Sequence, residues 1–140
     1  MIRRFSSDDL DAVSQIWLEV NTEAHHFISE NYWIAQFEAV KKMLAQSELY
    51  VFDQNGDIIG FAGIIDNYIA GLFVKSTSQS KGIGRKLLNH IKSMKNTLSL
   101  NVYQKNERAI KFYKREGFRL LSENIDGTTE EIEFSMLWQR

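Results

Sequence analysis

Apolar residues recur every three or four positions in the first third of the chain. This spacing places them on one face of an α-helix and predicts two amphipathic helices after a short first strand at residues 1–5. Ser7 and Asp8 precede the first helix and are typical capping residues. The two apolar stripes are Leu10, Val13, Trp17 and Val20, then Trp33, Phe37, Val40 and Leu44.

After the second helix the apolar pattern changes to that of β-strands. Three apolar runs follow with little polar alternation, which predicts strands covered on both faces. Asn55-Gly56 between the first two runs is a strong signal for a hairpin turn, and Asp66-Asn67 predicts a second turn. The three runs, which form a meander, are residues 49–52, 58–65 and 68–74.

The rest of the chain alternates helices with strands. One helix is predicted at residues 82–94, and another begins at Asn106 and ends at Gly117, a typical C-cap residue. The element order is β1-α1-α2-β2-β3-β4-α3-β5-α4-β6-β7, which predicts an α+β fold with three layers, α/β/α, around a mixed, mostly antiparallel sheet. The remaining strands are predicted at residues 98–102, 118–122 and 132–138.

Composition indicates one ordinary globular domain at residues 1–140, with 44% hydrophobic and 25% charged residues. The absence of cysteine excludes a disulfide framework and a cysteine nucleophile. No signal-peptide pattern and no membrane-spanning run is present, so we expect a soluble, cytoplasmic protein without a membrane partner. No residues have metal-ligand spacing, and we expect no metal. The chain is expected to be a monomer, or a homodimer that uses an exposed last strand.

Positive charge is concentrated in one segment. Residues 67–106 contain no Asp or Glu and carry +7, so the rest of the chain carries −8 to give the net charge of −1. Such a local field favours an anionic ligand, although a solvated helix face is the alternative. Stacking aromatics are sparse in the segment, so we expect no nucleic-acid partner. Its cations are Lys75, Lys81, Arg85, Lys86, Lys92, Lys95 and Lys105.

A glycine-containing loop, residues 79–86, lies between a predicted strand and a helix. The first turn of a helix has free N–H groups, and glycine lets a phosphate approach them closely. A P-loop is excluded because no glycine lies five residues before Gly82 or Gly84, and a dinucleotide fingerprint fails because Leu87 replaces its third glycine. The pattern Gln/Arg-x-x-Gly-x-Gly/Ala is met at every position, from Gln79 to Gly84. The alternative is that the glycines merely turn the chain.

A second motif follows downstream. Residues 106–118, Asn-Glu-Arg-Ala-Ile-Lys-Phe-Tyr-Lys-Arg-Glu-Gly-Phe, match N-x-x-A-x-x-F-Y-x-x-x-G-F without departure. With both motifs in this order, the chain resembles the GNAT superfamily of acyl-coenzyme-A-dependent N-acyltransferases, in particular its short single-domain bacterial members. The order of elements is similar too, so the resemblance covers essentially the whole chain.

The resemblance implies an N-acetyltransferase that uses acetyl-CoA as cosubstrate. Residues 72–74 of the fourth strand are then expected to pair with the pantetheine arm, where that strand bulges and splays from the fifth. The amides of residues 81–85 are expected to hold the pyrophosphate. The expected cofactor residues are Leu72, Phe73, Val74, Gln79, Ser80, Lys81, Gly82, Ile83, Gly84, Arg85, Asn106, Ala109, Phe112 and Tyr113.

The resemblance also assigns catalytic roles. Tyr113 corresponds to the tyrosine that faces the thioester sulfur, and we expect it to act as the general acid for the leaving thiolate. Asn106, Ala109 and Tyr113 share one helix face, which agrees with that assignment. A backbone N–H near residues 73–74 is expected to stabilise the oxyanion during direct attack by the amine in a ternary complex.

For the general base and the acceptor site, the sequence offers several candidate residues. His25 lies between the first two helices, where this family builds its acceptor site, and is the candidate base; the alternative is a hydrogen-bonded structural histidine. Phe27 and Asn101 are further candidate acceptor residues, and Glu23 or Asn101 is an alternative base acting through water. The acceptor is a small-molecule or peptide amine, and the acidic remainder of the chain favours a cationic one. A non-catalytic acyl-CoA sensor is the rival interpretation, and a dinucleotide oxidoreductase is disfavoured by the missing glycine.

Overall fold

The computed structural model describes residues 1–140 as a seven-stranded sheet with helices on both faces. The helices are α1 (Leu10–Ala24), α2 (Glu30–Ala45), α3 (Ile83–Lys92) and α4 (Glu107–Arg115). The strands are β1 (Ile2–Arg4), β2 (Glu48–Gln54), β3 (Asp57–Ile65), β4 (Tyr68–Val74), β5 (Thr97–Tyr103), β6 (Arg119–Ile125) and β7 (Ile132–Gln139). Their order in the sheet is β1-β2-β3-β4-β5-β7-β6, and only β4 and β5 are parallel. The predicted α+β fold and element order are confirmed.

Two apolar cores lie on opposite faces of the sheet. One joins α1 and α2 to the sheet and contains Val13, Ile16 and Phe61. The other joins α3 and α4 to the opposite face and contains Leu87 and Tyr113. Strand β3 is buried on both sides along most of its length, as its unbroken apolar run predicts. None of the helices is both long and apolar enough to cross a bilayer.

The parallel strands β4 and β5 separate almost as soon as they meet. Their ladder consists of one pair, Tyr68 with Ser99, at the beginning of both strands. Opposite β3, the register of β4 shifts between Gly63 and Ile64, which leaves Ala70 as an extra, bulged residue. A bulge bends and twists its strand, and this one accompanies the divergence of β4 from β5. The split between the two strands positions the site described below.

The last strand and the start of the first helix differ from what the sequence predicts. The expectation of an exposed last strand is wrong, because β7 pairs with β5 on one side and β6 on the other, and Met136 is fully buried. Strand order depends on contacts distant in sequence, which periodicity does not report. The first helix is also preceded by a short 3₁₀ turn that begins with a capping box between Ser6 and Asp9, one residue away from each predicted capping residue.

Candidate active site

A cleft of about 1110 Å³ lies beside the split, bounded by β4, the loop before α3, and α4. The end of α1 closes one side of it through Val20 and Glu23. Most residues expected to hold the cofactor lie in its wall: Leu72, Val74, Gln79, Ser80, Gly82, Gly84, Arg85, Asn106, Ala109, Phe112 and Tyr113.

Three expected cofactor residues do not line this cleft. The ring of Phe73 lies 5.1 Å from that of Phe61, in the core under α1 and α2. Ile83 is only 7% exposed and packs in the other core, while Lys81 is exposed outside the cleft wall. The side chains of Phe73 and Ile83 therefore anchor the strand and the helix, and only their backbone groups remain available to a ligand.

The backbone of β4 presents polar groups to the split at alternate residues. The N–H of Lys75 donates to the carbonyl of Ile59 on β3, which fixes the direction of the groups that precede it. Because hydrogen-bonding direction alternates along a strand, Leu72 and Val74 direct their N–H and C=O groups away from β3. The carbonyl of Val74 already accepts a hydrogen bond from Gln79, so an extended amide ligand in the split can pair with the N–H of Val74 and with both groups of Leu72.

The loop before α3 presents unpaired donors to the cleft. Gly82 is the N-cap of α3 with a left-handed φ of 81°, and Ser80 is also left-handed at 63°. The backbone N–H groups from Lys81 to Arg85 have no hydrogen-bond partner in the protein. Successive free amides at a helix N-terminus are the feature that the predicted anion site requires.

Arg108 ties this loop to α4. Its guanidinium donates to Oε1 of Gln79 at 2.6 Å and to Oγ of Ser80 at 3.0 Å. Gln79 in turn donates from Nε2 to the carbonyl of Val74 at 2.9 Å, so the loop is braced from both sides. Both acceptors of Arg108 are neutral, and the positive charge of the guanidinium remains available beside the free amides.

The positive charge in the cleft wall comes only partly from the segment that the sequence indicates. Within residues 67–106, Lys75 pairs with Asp57, while Lys86 lies over the ring of Phe52. Most cations in the cleft wall belong to α4. The sequence prediction did not include them, although their spacing places them on one helix face. Those α4 cations are Arg108, Lys111 and Arg115, which join Arg85 and Lys105 in the cleft wall.

Tyr113 lies in the cleft wall with 9% of its surface exposed. Burial raises the pKa of its hydroxyl above the ordinary value of 10.0, and nearby Tyr68 raises it further. The hydroxyl is therefore protonated throughout the neutral range. Asn106 caps the same helix, because its Oδ1 accepts a hydrogen bond from the N–H of Ala109 at 3.3 Å.

His25 lies behind the cleft wall rather than in it. Its Nε2 is 3.2 Å from Nδ2 of Asn106, and its ring stacks on Trp33 with centroids 5.4 Å apart. Nδ1 is buried, and no acceptor meets it at normal hydrogen-bond distance and angle. Burial lowers the pKa of His25 to about 4, although the carbonyl of Asn21 acts in the opposite direction. The imidazole is therefore neutral at neutral pH.

The other candidate acceptor residues lie on the same side of the sheet. Phe27 packs edge-on against Tyr103 at 5.7 Å, and Asn101 is exposed, with its Oδ1 accepting from Oγ of Ser135. Glu133, which sequence analysis missed, is paired with Tyr103 in the β5–β7 ladder and so shares its face. Burial raises the pKa of Glu133, and the charge of Asp126 adds to this effect. Only the strand register reveals that position.

Three carboxylates line the cleft, Glu23, Glu107 and Glu116, and a fourth, Glu133, lies outside its wall beside β5. Glu23 is exposed in the cleft wall, whereas Glu133 is partly buried beside β5. The charge of Glu133 contributes to the raised pKa of Tyr68, and Tyr68 contributes to that of Tyr113. Tyr68 therefore lies between the environments of Glu133 and Tyr113 and is electrostatically coupled to each of them.

Comparisons with known protein families and with individual proteins identify the same family. The sequence-family model of the acetyltransferase (GNAT) domain matches residues 45–120. The peptidyl-lysine N-acetyltransferase YiaC of Escherichia coli K12 is 33% identical over 140 residues, which cover 99% of this chain and 96% of that protein.

Solved structures agree with this relationship. The solution structure of apo-form YjaB from Escherichia coli superposes with a TM-score of 0.89 at 26% identity and covers 99% of this chain and 96% of that one. The protein yncA from Salmonella typhimurium, solved with acetyl-CoA, has the same fold, with a TM-score of 0.69 at 20% identity and coverage of 99% of this chain and 92% of that one.

Proposed function

The chain belongs to the GNAT family of acetyltransferases and transfers an acetyl group to an amine; from that premise we propose that the amine is the side chain of a lysine in a peptide or protein. The observation that carries this proposal is the 33% identity with a peptidyl-lysine N-acetyltransferase over nearly the full length of both chains. A surface carboxylate, Glu23, at the α1 end of the cleft also suits a cationic acceptor.

Acetyl-CoA supplies the acetyl group as an activated thioester. The free amides from Lys81 to Arg85 suit its pyrophosphate, and Arg108 adds positive charge beside them. The outward groups of Leu72 and Val74 suit the amides of the pantetheine arm. Of these groups, the N–H of Val74 or Leu72 is the candidate donor to the developing oxyanion.

Two side chains are proposed to move the proton. A lysine ammonium must lose a proton before its nitrogen attacks, and we assign this step to Glu133, directly or through a water. The raised pKa of Glu133 makes it a stronger base than an ordinary carboxylate. The hydroxyl of Tyr113 is protonated at neutral pH because its pKa is raised, and it donates that proton to the departing sulfur. The C–N bond forms and the C–S bond breaks. Nitrogen loses two protons between ammonium and amide: the first goes to Glu133 and then to solvent, and the second replaces the proton that Tyr113 gave to sulfur.

The experiment that tests the proposal combines the purified protein with acetyl-CoA and paired peptides. One peptide carries a free lysine and a blocked N-terminus, and its partner carries a free N-terminus and an acetylated lysine. We expect release of CoA thiol and addition of one acetyl group with the first peptide only. Transfer only to the second peptide, or only to small amines such as polyamines, would remove lysine as the acceptor.

A non-catalytic acyl-CoA sensor remains the alternative that this experiment separates. A sensor binds acetyl-CoA with no release of thiol in the presence of any amine. Tyr113 argues for the enzyme, because a buried, protonated hydroxyl in the cleft wall is required for protonating a leaving group and not for binding alone.

A further inference from the structure

We propose that His25 is a positioning residue that holds the side-chain amide of Asn106 in the orientation needed to bind the cofactor. The contact joins residues 81 positions apart and connects the end of α1 to the N-cap of α4. This inference rests on the proposed function, because it takes Asn106 as one of the expected cofactor residues and its side-chain amide as a contact of the pantetheine arm of acetyl-CoA.

The hydrogen bonds around Asn106 determine which way its amide points. The N–H of Ala109 is a donor, so the atom that faces it must be the acceptor Oδ1. Nδ2 therefore faces His25, and because Nδ2 only donates, Nε2 of His25 must accept. The imidazole is consequently the tautomer that carries its proton on Nδ1.

The surroundings of His25 keep the ring in this state. Trp33 stacks on one face, while Phe27 and Tyr103 pack edge-on at 5.6 Å and 5.1 Å. These rings offer no countercharge to an imidazolium, and the pKa of about 4 agrees with a ring that is neutral at neutral pH. A neutral Nε2 presents a lone pair to Asn106 at all pH values near neutrality.

The same geometry argues against proton abstraction by His25. Its accepting nitrogen is occupied by Asn106, and its other nitrogen is buried and already carries the proton of the neutral ring. One hydrogen on Nδ2 of Asn106 is used by His25, which leaves the second for a carbonyl in the cleft. Fixing this amide before the cofactor arrives removes part of the ordering cost of binding.

Two substitutions separate the hydrogen bond from the packing of the ring. His25→Phe keeps an aromatic side chain and removes the acceptor, whereas His25→Gln restores an acceptor near the position of Nε2. The neighbouring His26 is exposed and makes no hydrogen bond to Asn106, so His26→Phe is the matched control. Acetyl-CoA affinity by calorimetry, KM, kcat and the pH profile are measured for each.

We expect His25→Phe to raise the Kd and KM for acetyl-CoA about five- to tenfold, the effect of losing one hydrogen bond, with kcat at saturation within about threefold. His25→Gln should recover most of the affinity, His26→Phe should match the wild type, and the acidic limb of the pH profile should stay in place. A large loss of kcat with unchanged affinity, or equal affinity in H25F and the wild type, overturns the inference. Equal defects in H25F and H25Q also overturn it, because packing alone then explains them.

A measurement on the unmodified protein covers the case in which a variant does not fold. The ¹⁵N chemical shifts of the His25 ring at neutral pH should show a proton on Nδ1 and none on Nε2; a proton on Nε2 overturns the inference. If the wild type does not bind acetyl-CoA, the proposed function fails and this inference with it. Normal binding by the wild type with an unaffected H25F overturns this inference alone.

Discussion

Arg108 and Gln79 are 29 positions apart in the chain, yet Nη1 of the arginine lies 2.6 Å from Oε1 of the glutamine. This contact holds the loop that carries the free amides against the helix that carries Tyr113. It also keeps a guanidinium charge at the cleft without a carboxylate to neutralise it. A substitution at Arg108 should therefore weaken anion binding in two ways, through lost charge and through a looser loop.

We predict that Arg108→Gln raises the Kd for acetyl-CoA by about tenfold, since a charge-assisted contact contributes about 1.5–3 kcal/mol and water replaces part of it. The loss should shrink at high salt, because screening weakens the contribution of the charge. Calorimetric titration at two salt concentrations measures both effects. Arg119→Gln on the exposed edge strand is the control, and an equal loss there would contradict a specific role for Arg108.

The two glycines of the loop should respond differently to alanine. Gly82 has a left-handed φ of 81°, so Gly82→Ala should cost about 1–2 kcal/mol of folding free energy although no atom obstructs the new methyl group. Gly84 is helical, and its added Cβ would meet Phe112 at an ordinary 3.7 Å. Gly84→Ala should therefore fold at least as stably as the wild type. Urea denaturation tests this, and an equal cost at both positions would contradict it.

The site could be predicted from the sequence as far as its chemistry follows from local motifs. The Gly82 loop and the segment from Asn106 to Phe118 each form a continuous stretch, so their positions on a helix N-terminus and a helix face follow from spacing. Contacts between distant segments do not follow in this way. The meeting of His25 with Asn106, and the position of Glu133 beside β5, depend on strand order and register, which periodicity leaves undetermined.

Tyr113→Phe should reduce kcat by about 100-fold or more, the usual contribution of a general acid, while the Kd for acetyl-CoA stays close to the wild-type value. Phenylalanine fills the same buried space, so stability should change little. Steady-state kinetics with a lysine peptide and calorimetry with acetyl-CoA provide the two readouts. Unchanged turnover would remove Tyr113 from the mechanism.

The stability of the protein should fall in mild acid because of His25. Its pKa is lowered from 6.5 to about 4 in the folded protein, so between these values the unfolded chain binds more protons than the folded one. The free energy of unfolding is therefore highest above pH 6.5 and decreases as the pH falls toward 4, by at most about 3 kcal/mol from this group. Denaturation at several pH values should show a smaller decrease in His25→Gln, and identical pH dependence in both proteins would contradict the assignment.

Glu133, the proposed general base, can be tested by removing its charge. Glu133→Gln removes the charge and keeps the shape, so kcat/KM for the lysine peptide at neutral pH should fall by about 100-fold if this carboxylate takes the proton. Glu131 lies nearby but is bound to Lys105 at 3.0 Å, which makes Glu131→Gln the matched control with nearly normal activity expected. The raised pKa of Glu133 also predicts an acidic limb in the pH profile above the ordinary glutamate value of 4.5, and this limb should be absent in Glu133→Gln. If Glu23→Gln abolishes the limb instead, deprotonation occurs at the α1 end of the cleft.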